Sequence, residues 1–324
     1  MDFFETIYEK VKQTCPKIIF PEGNDERVIN AAIELEKSKI IKPLLLGAKG
    51  VIDDYASNHN LEIIEPDENK IIPFRDEAYE LLAKKYSQHQ IDDLLLQPNY
   101  YAMMLLKHGK ADGLVGGAQF PTPEIIKPAL KIIGMESNIN RLSSYFLMIK
   151  DEQVYFFSDC AVNVLPNSEE LAEIAYLTAH SATMFDVSPK VAFLSYSTKK
   201  SSISEQTETV QKAYELFMEK HPYWPSEGEI QLDAAIHPEV SNSKTLDSPL
   251  KGRANVLIFP NLDAGNIGYK LTERLGLFSA IGPVLQGLGK PVNDLSRGCS
   301  SEDIFRLAIL TGLQVISKQE NTLI

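Results

Sequence analysis

Short apolar runs alternate with amphipathic stretches along most of the chain. The run "KIIFPEG" predicts a strand ending in a loop, and "ERVINAAIELEKS" places Val28, Ile29, Ala32, Ile33 and Leu35 at helical spacing. A second strand is predicted at "IKPLLLGA", and the same pattern recurs at "ADGLVGGA", "KVAFLSYST", "ANVLIFP" and "AIGPVLQG". Apolar runs of this length that end in glycine or serine ahead of a helix mark parallel strands in βαβ units. Ligands of such sheets bind beyond the carboxyl ends of the strands, so the polar clusters that follow these runs are the candidates for chemistry.

One segment breaks the pattern. In "SSYFLMIKDEQVYFFSDCAVNVLP", two runs rich in Tyr, Phe and Val flank "KDEQ", which predicts a hairpin of antiparallel strands near residues 144–162. A domain boundary is placed at its start. With 324 residues, the chain is long enough for two domains at roughly 100 to 200 residues each. The stretch "EKHPYWPSEGEI" reads as a surface loop leading into another strand, with Trp224 as a packing residue or loop anchor.

Composition narrows the function classes. Hydrophobic residues at 44% and charged residues at 23% support a sizeable core. A formal charge of −12 argues against nucleic acid or a membrane surface as partner, although a local cluster of cations can still receive a small anion. Three widely spaced cysteines, Cys15, Cys160 and Cys299, form neither a disulfide framework nor a zinc site, and the histidines have no metal-ligand spacing, so no metal is expected. The opening "MDFFETIYEKVKQTCPKIIF" lacks the apolar core of a secretory leader. No run approaches the ~18 apolar residues of a membrane span. A cytoplasmic protein is expected.

Four clusters carry possible chemistry. In "KPVNDLSRGCSSEDIFRLAIL", Ser300 and Asp303 match a helix-start box, S-x-x-D/E. Helix capping accounts for that match. The same placement also puts a carboxylate beside Arg297 and Ser296, where it can accept a proton from a thiol close by. Cys299 reads as structural, because no histidine lies near it in sequence. In "LSYSTKKSSISEQTETV", Ser195, Ser197, Thr198, Lys199 and Ser201 precede a helix; they offer donors to a phosphate, or form a solvated loop with a serine cap. In "FPNLDAGNIGYKLTERLG", Gly265 and Gly268 with Asn261 and Asn266 allow a tight turn before a helix and close helix–strand packing; neither this stretch nor any other is a nucleotide fingerprint. In "VGGAQFPTPEIIKPALKII", Lys127 falls in a helix-like segment, where a solvated charge is the plain reading. His237 reads as a turn residue.

Taken together, "IIFPEGNDERVI", "ADGLVGGA", "DCAVN", "SYSTK", "DAAI-PEV", "ANV-IFP-L-AGNIGYK" and "IGP-LQGL-KPVNDLSRG" resemble the phosphate acetyltransferases, in order and over nearly the whole chain. The resemblance implies an α/β protein of two three-layer α/β/α domains with a cleft between them, similar to the isocitrate and isopropylmalate dehydrogenases. It implies a first domain of residues 1–143 completed by 288–324 and a second of 144–287. The implied reaction moves an acetyl group reversibly between acetyl phosphate and coenzyme A, giving acetyl-CoA and inorganic phosphate. Coenzyme A is a substrate, no cofactor is required, and a homodimer is expected. The motif match implies that Asp303 takes the thiol proton, Ser296 orients the reactants and Arg297 binds substrate and stabilises developing charge. Lys127, Ser197, Thr198, Lys199 and Asn293 are the implied substrate-binding residues.

The chain departs from the family pattern in three places. Where "HST" followed by "DTVRPA" is usual, it has "QFPTPEIIKPA", so Lys127 offers a point charge in place of an arginine fork. A second arginine, usual in an "E-I-R-K-G-K" segment, faces "YELLAKKYSQ", with Lys84 and Lys85 nearby; and Lys200 stands where "STKGS" has glycine. Weaker acetyl phosphate affinity or an altered acyl preference is expected. The competing readings are an acyltransferase for propionyl or butyryl groups, a protein that binds coenzyme A or acyl phosphates without turnover, and an oxidoreductase of similar architecture. The oxidoreductase is disfavoured because no aspartates are paired for a divalent metal.

Overall fold

The computed structural model describes residues 3–56 and 59–322. Its strands are β1 (Lys17–Phe20), β2 (Lys42–Leu46), β3 (Glu62–Ile64), β4 (Gly113–Gly116), β5 (Ser143–Lys150), β6 (Gln153–Ser158), β7 (Val191–Leu194), β8 (Ser226–Ile230), β9 (Val256–Ile258), β10 (Ser279–Gln286) and β11 (Val292–Asp294). The chain forms two compact units, one of residues 1–137 with 288–324 and one of 138–287.

The first unit holds a five-stranded sheet in the order β11-β4-β1-β2-β3. Each neighbouring pair is parallel. The strands are short and apolar because both faces are covered: Ile18, Ile19, Leu44, Leu45, Leu114 and Val292 are all buried. The helix Glu26–Ser38 starts where Asp25 accepts from the Arg27 backbone N–H, and it buries Val28, Ile29, Ala31, Ala32 and Leu35 along one stripe. The last helix, Ser301–Thr322, packs against that helix and against Phe3–Thr14. It buries Ile304, Leu307, Ala308, Ile309, Leu310 and Leu313. At about 1.5 to 3 kcal/mol for each large aliphatic side chain, this burial outweighs any cap at its start.

The strand order reverses direction between β1 and β4: the chain builds outward through β2 and β3, then returns to the other side of β1. That reversal leaves the loops after β1, β4 and β11 at one edge, the position where parallel sheets open to ligands.

The second unit holds a six-stranded sheet in the order β10-β5-β6-β9-β7-β8. The hairpin expected near residues 144–162 is β5 and β6, paired antiparallel with Lys150 opposite Gln153. Asp151 opens the turn with φ 54, which an aspartate tolerates better than most residues. The runs at "KVAFLSYST" and "ANVLIFP" are the parallel strands β7 and β9.

Two expectations need correction. The run "AIGPVLQG" does not pair with a parallel neighbour. It is β10, an edge strand antiparallel to β5 with a register shift between Ile281 and Val284. The helix Leu262–Arg274 carries the chain from β9 to the far edge of the sheet, where β10 runs in the direction of β6 and β9 but pairs with β5, which runs opposite. Gly265 and Gly268 do not make a turn before a helix. The helix Leu262–Arg274 has already begun, capped by Asn261, whose Oδ1 accepts from Ala264 N. The close-packing half of that reading holds: a Cβ on Gly265 would lie 2.3 Å from the Asp159 carbonyl oxygen. Among the described residues, no helix is long and apolar enough to cross a membrane.

Candidate active site

Three loops meet at the carboxyl edge of the first sheet, and Arg27 ties them together. Its guanidinium holds Asp25 at both oxygens, Nε to Oδ1 at 3.0 Å and Nη2 to Oδ2 at 2.7 Å. The same group donates to the Ala118 carbonyl after β4 at 2.8 Å, and to the Arg297 and Cys299 carbonyls after β11 at 2.9 Å each. A planar fork with five donors can satisfy this spread of acceptors, and an ammonium cannot. Hydrogen bonding from Arg27 holds Asp25 below the usual carboxylate range against the opposing effect of burial, and Asp25 raises Arg27 in turn.

Glu22, buried after β1, shapes the loop after β4. Its carboxylate accepts from four consecutive backbone N–H groups: Gly117 at 2.8 Å, Ala118 at 3.1 Å, Gln119 at 2.6 Å and Phe120 at 2.8 Å. Gly117 has φ 103 and lies so close to Asp294 that an added Cβ would be 2.4 Å from Oδ1. Asp294, at the end of β11, accepts from the Thr122 hydroxyl at 2.6 Å through Oδ2. Its Oδ1 is buried with no hydrogen-bond partner. Burial pushes this carboxyl up to about 7; the bond from Thr122 opposes the shift and the Glu22 charge adds to it.

Within this frame, Ser296, Arg297 and Asp303 are all exposed. Ser296 shapes the turn, its Oγ accepting from Gly298 N at 3.3 Å and its carbonyl from Cys299 N at 2.9 Å. Asp303 does form the helix-start box. Its Oδ2 accepts from Ser300 N and Oγ, both at 2.8 Å, and Ser300 Oγ accepts from Asp303 N at 3.2 Å. Both bonds to the carboxylate fall on Oδ2, so capping and proton acceptance at Oδ1 are compatible. Cys299 is buried, and desolvation pushes its thiol up to about 11 although Arg27 opposes this. A thiol held neutral is a poor nucleophile, consistent with a structural role. Lys127 is exposed in the last turn of the helix Thr122–Pro128.

Asn293 does something other than face a substrate. It is a strand residue in β11, fully buried, and its amide donates to Thr311 Oγ1 and Gln314 Oε1 at 2.8 Å each. It anchors the strand, and the loop that leaves it, to the last helix. The "PVND" stretch reads as polar loop in sequence because a three-residue edge strand has no period to detect.

In the second unit, the loop after β7 holds Ser197, Thr198 and Lys199. Ser197 is buried and donates to Glu229 Oε1 at 2.8 Å while accepting from Ser202 N at 3.0 Å. The Thr198 hydroxyl accepts from Gln231 N at 3.0 Å. Both hydroxyls are buried and bonded within the fold, Ser197 to the Glu229 carboxylate and Thr198 to Gln231, so they shape the loop and are not presented as phosphate donors. Lys199 is nearly half exposed and pairs with Glu227 at 3.3 Å. Lys199 and Lys200 have φ 48 and 65, and Lys200 N donates to Glu229 Oε1 at 2.7 Å. The glycine of the family pattern therefore marks a left-handed position that this chain fills with lysine.

The "DCAVN" motif resolves as a nest around Asp159, whose carboxylate accepts from the backbone N–H groups of Ala161, Val162 and Asn163. Trp224 packs as expected, its ring stacked at 6.2 Å from Phe217. A cavity of about 450 Å³ in this unit, lined by Arg141, Tyr176 and His221 among others, includes none of the expected site residues.

Sequence reasoning missed Arg27, Glu22, Thr122 and Asp294 as the scaffold of the site. Three acidic residues and an arginine directly after a predicted strand, in "PEGNDER", were the available signal.

The first sheet thus presents, at its open edge, a loop bearing Ser296 and Arg297 and, at the start of the next helix, the Asp303 carboxylate. The model of the phosphate acetyl/butaryl transferase family matches residues 2–312, and the chain belongs to that family of acyltransferases. It is 44% identical over 321 residues to a phosphate acetyltransferase of Bacillus subtilis, covering 97% of this chain and 99% of that one. A solved phosphotransacetylase from Streptococcus pyogenes is 43% identical, with a TM-score of 0.91 over 97% of this chain and 98% of that one. One from Staphylococcus aureus is 42% identical, with a TM-score of 0.88 over the same shares.

Proposed function

We propose that this chain is a phosphate acetyltransferase, converting acetyl-CoA and inorganic phosphate reversibly to coenzyme A and acetyl phosphate. Asp303 takes the thiol proton. The sulfur then attacks the acetyl carbonyl carbon, the carbon–oxygen bond to phosphate breaks, and phosphate leaves with that electron pair. Arg297 stabilises the charge on the carbonyl oxygen or the departing phosphate, and Ser296 orients the reactants by hydrogen bonding. Lys127 and Lys199 receive anionic substrate groups, while Ser197, Thr198 and Asn293 hold their segments in shape. The supporting observation is the Arg27 clasp, which fixes the loop backbone at Arg297 and Cys299 while leaving the Ser296, Arg297 and Asp303 side chains exposed.

Following thioester absorbance with acetyl phosphate and coenzyme A tests this reading. Asp303→Asn should lower kcat by about 10² to 10⁴, the usual range for a lost general base, with coenzyme A binding largely kept. Loss of coenzyme A binding in step with kcat would show a structural carboxylate and overturn the assignment. Propionyl and butyryl phosphate run in parallel decide the acyl preference left open by Lys127. Binding without turnover of any of them would leave a non-catalytic protein.

The second, finer reading is a cytoplasmic homodimer. Ile267, Leu271, Leu275 and Leu277 are exposed by 57%, 51%, 78% and 75% along and just beyond one helix of the second unit, which favours burial against another copy. The free cysteines suit a reducing compartment.

A further inference from the structure

The reaction written above leaves Asp294 without a role, yet its carboxyl sits among the segments that supply the reacting groups. It ends β11, and Leu295 begins the loop to Ser296 and Arg297. Its one hydrogen bond, from Thr122, reaches the first residue of the helix that carries Lys127. Gly117 closes over it, with room for no side chain. Glu22 has four backbone donors on its carboxylate, whereas Asp294 Oδ1 has none. Where two carboxyls bear on each other away from water, the better-solvated one keeps the charge and the other keeps a proton.

We propose that Asp294 is a positioning residue: its carboxyl, accepting from Thr122, ties the Ser296–Arg297 loop to the Lys127 helix, and once ionised its buried, unpartnered Oδ1 draws water into this junction and loosens it, although the Thr122 bond itself strengthens. The proposal rests on the acyl-transfer reading. Its carboxyl, raised by burial to about 7, would change charge near neutral pH. The segment after β1 carries Glu22, with Asp25 and Arg27 paired to each other. The Thr122 helix carries Glu124 and Lys127, and the chain beyond Asp294 carries Arg297, Cys299 and Asp303. Of these, Glu22 bears on the Asp294 proton.

The test compares the full-length wild type with Asp294→Asn, Thr122→Val and Thr122→Ser, measuring kcat and KM for acetyl phosphate across pH. Asparagine stays uncharged and still offers Thr122 an acceptor. The ratio of its kcat to that of wild type cancels the thiol's own titration. It should be flat in acid and rise as pH passes about 7. Thr122→Val should lower kcat about tenfold at acid pH, the worth of one hydrogen bond, and Thr122→Ser should restore it. A melting series checks the proton independently. A folded-state pKa raised above the unfolded 3.8 means stability that is full below that value and lost as pH rises towards 7. The asparagine variant should lack that loss. A kcat ratio independent of pH, with wild-type turnover intact, overturns the positioning role alone. Absence of turnover at every pH overturns the acyl-transfer reading and this role with it, whatever the melting curves show.

Discussion

Replacing Arg27 by alanine is the most direct way to ask whether the site is built by its scaffold. The substitution deletes three bonds to backbone carbonyls and a two-point bond to Asp25. Asp25 is only 8% exposed on its side chain and would be left without its counter-charge, whereas Arg27 is 32% exposed. Breaking a fully buried pair costs about 3 to 5 kcal/mol. Partial exposure of the arginine places the expected loss near the bottom of that range, about 3 kcal/mol. Bonds to a charged group are worth about 1.5 to 3 kcal/mol each, so water must replace most of the three carbonyl contacts for the total to stay there. Urea unfolding of wild type and variant measures the loss, and thioester formation under conditions where both are folded measures the consequence for the loop. If Ser296 and Arg297 act as proposed, the expected outcome is a fall in kcat larger than the rise in either KM, because the clasp holds the backbone of the loop that bears them. Arg27→Lys should recover little of either, since one ammonium cannot span acceptors on three loops. Asp25→Ala and the double variant complete a cycle that isolates the pair. A variant within about 0.5 kcal/mol of wild type, the range of an ordinary surface change, and with unchanged kcat would refute the clasp.

Lys200→Gly should stabilise the protein by up to about 1 kcal/mol, because a side chain in the left-handed region is strained and glycine is not, and the backbone bond to Glu229 is kept. Chemical denaturation reads the sign, and a destabilised variant would show that the Lys200 side chain contributes more than its backbone strain costs. Light scattering of the intact chain should give twice the 36.2 kDa chain mass, and acidic substitutions at Leu271 and Leu275 should halve it. A single-chain mass for the unsubstituted protein removes the dimer.

Legibility in the sequence followed the range of the interaction that decides each feature. The strands β1, β2, β4, β7 and β9, the hairpin and the helix-start box at Ser300–Asp303 are set by neighbours a few residues apart, and the period of apolar positions carries them. The loop bearing Ser296, Arg297 and Asp303 could be singled out for the same reason: its chemistry is contiguous. Tertiary structure alone decided which polar groups remain available. Arg27 meets the Arg297 carbonyl across 270 residues and the Ala118 carbonyl across 91, separations no local pattern records. The burial of Asn293, Ser197 and Asp294 depends on the helix, strand and loop packed over each. A side chain's polarity is written in its own letter, but its solvation is written by residues elsewhere in the chain.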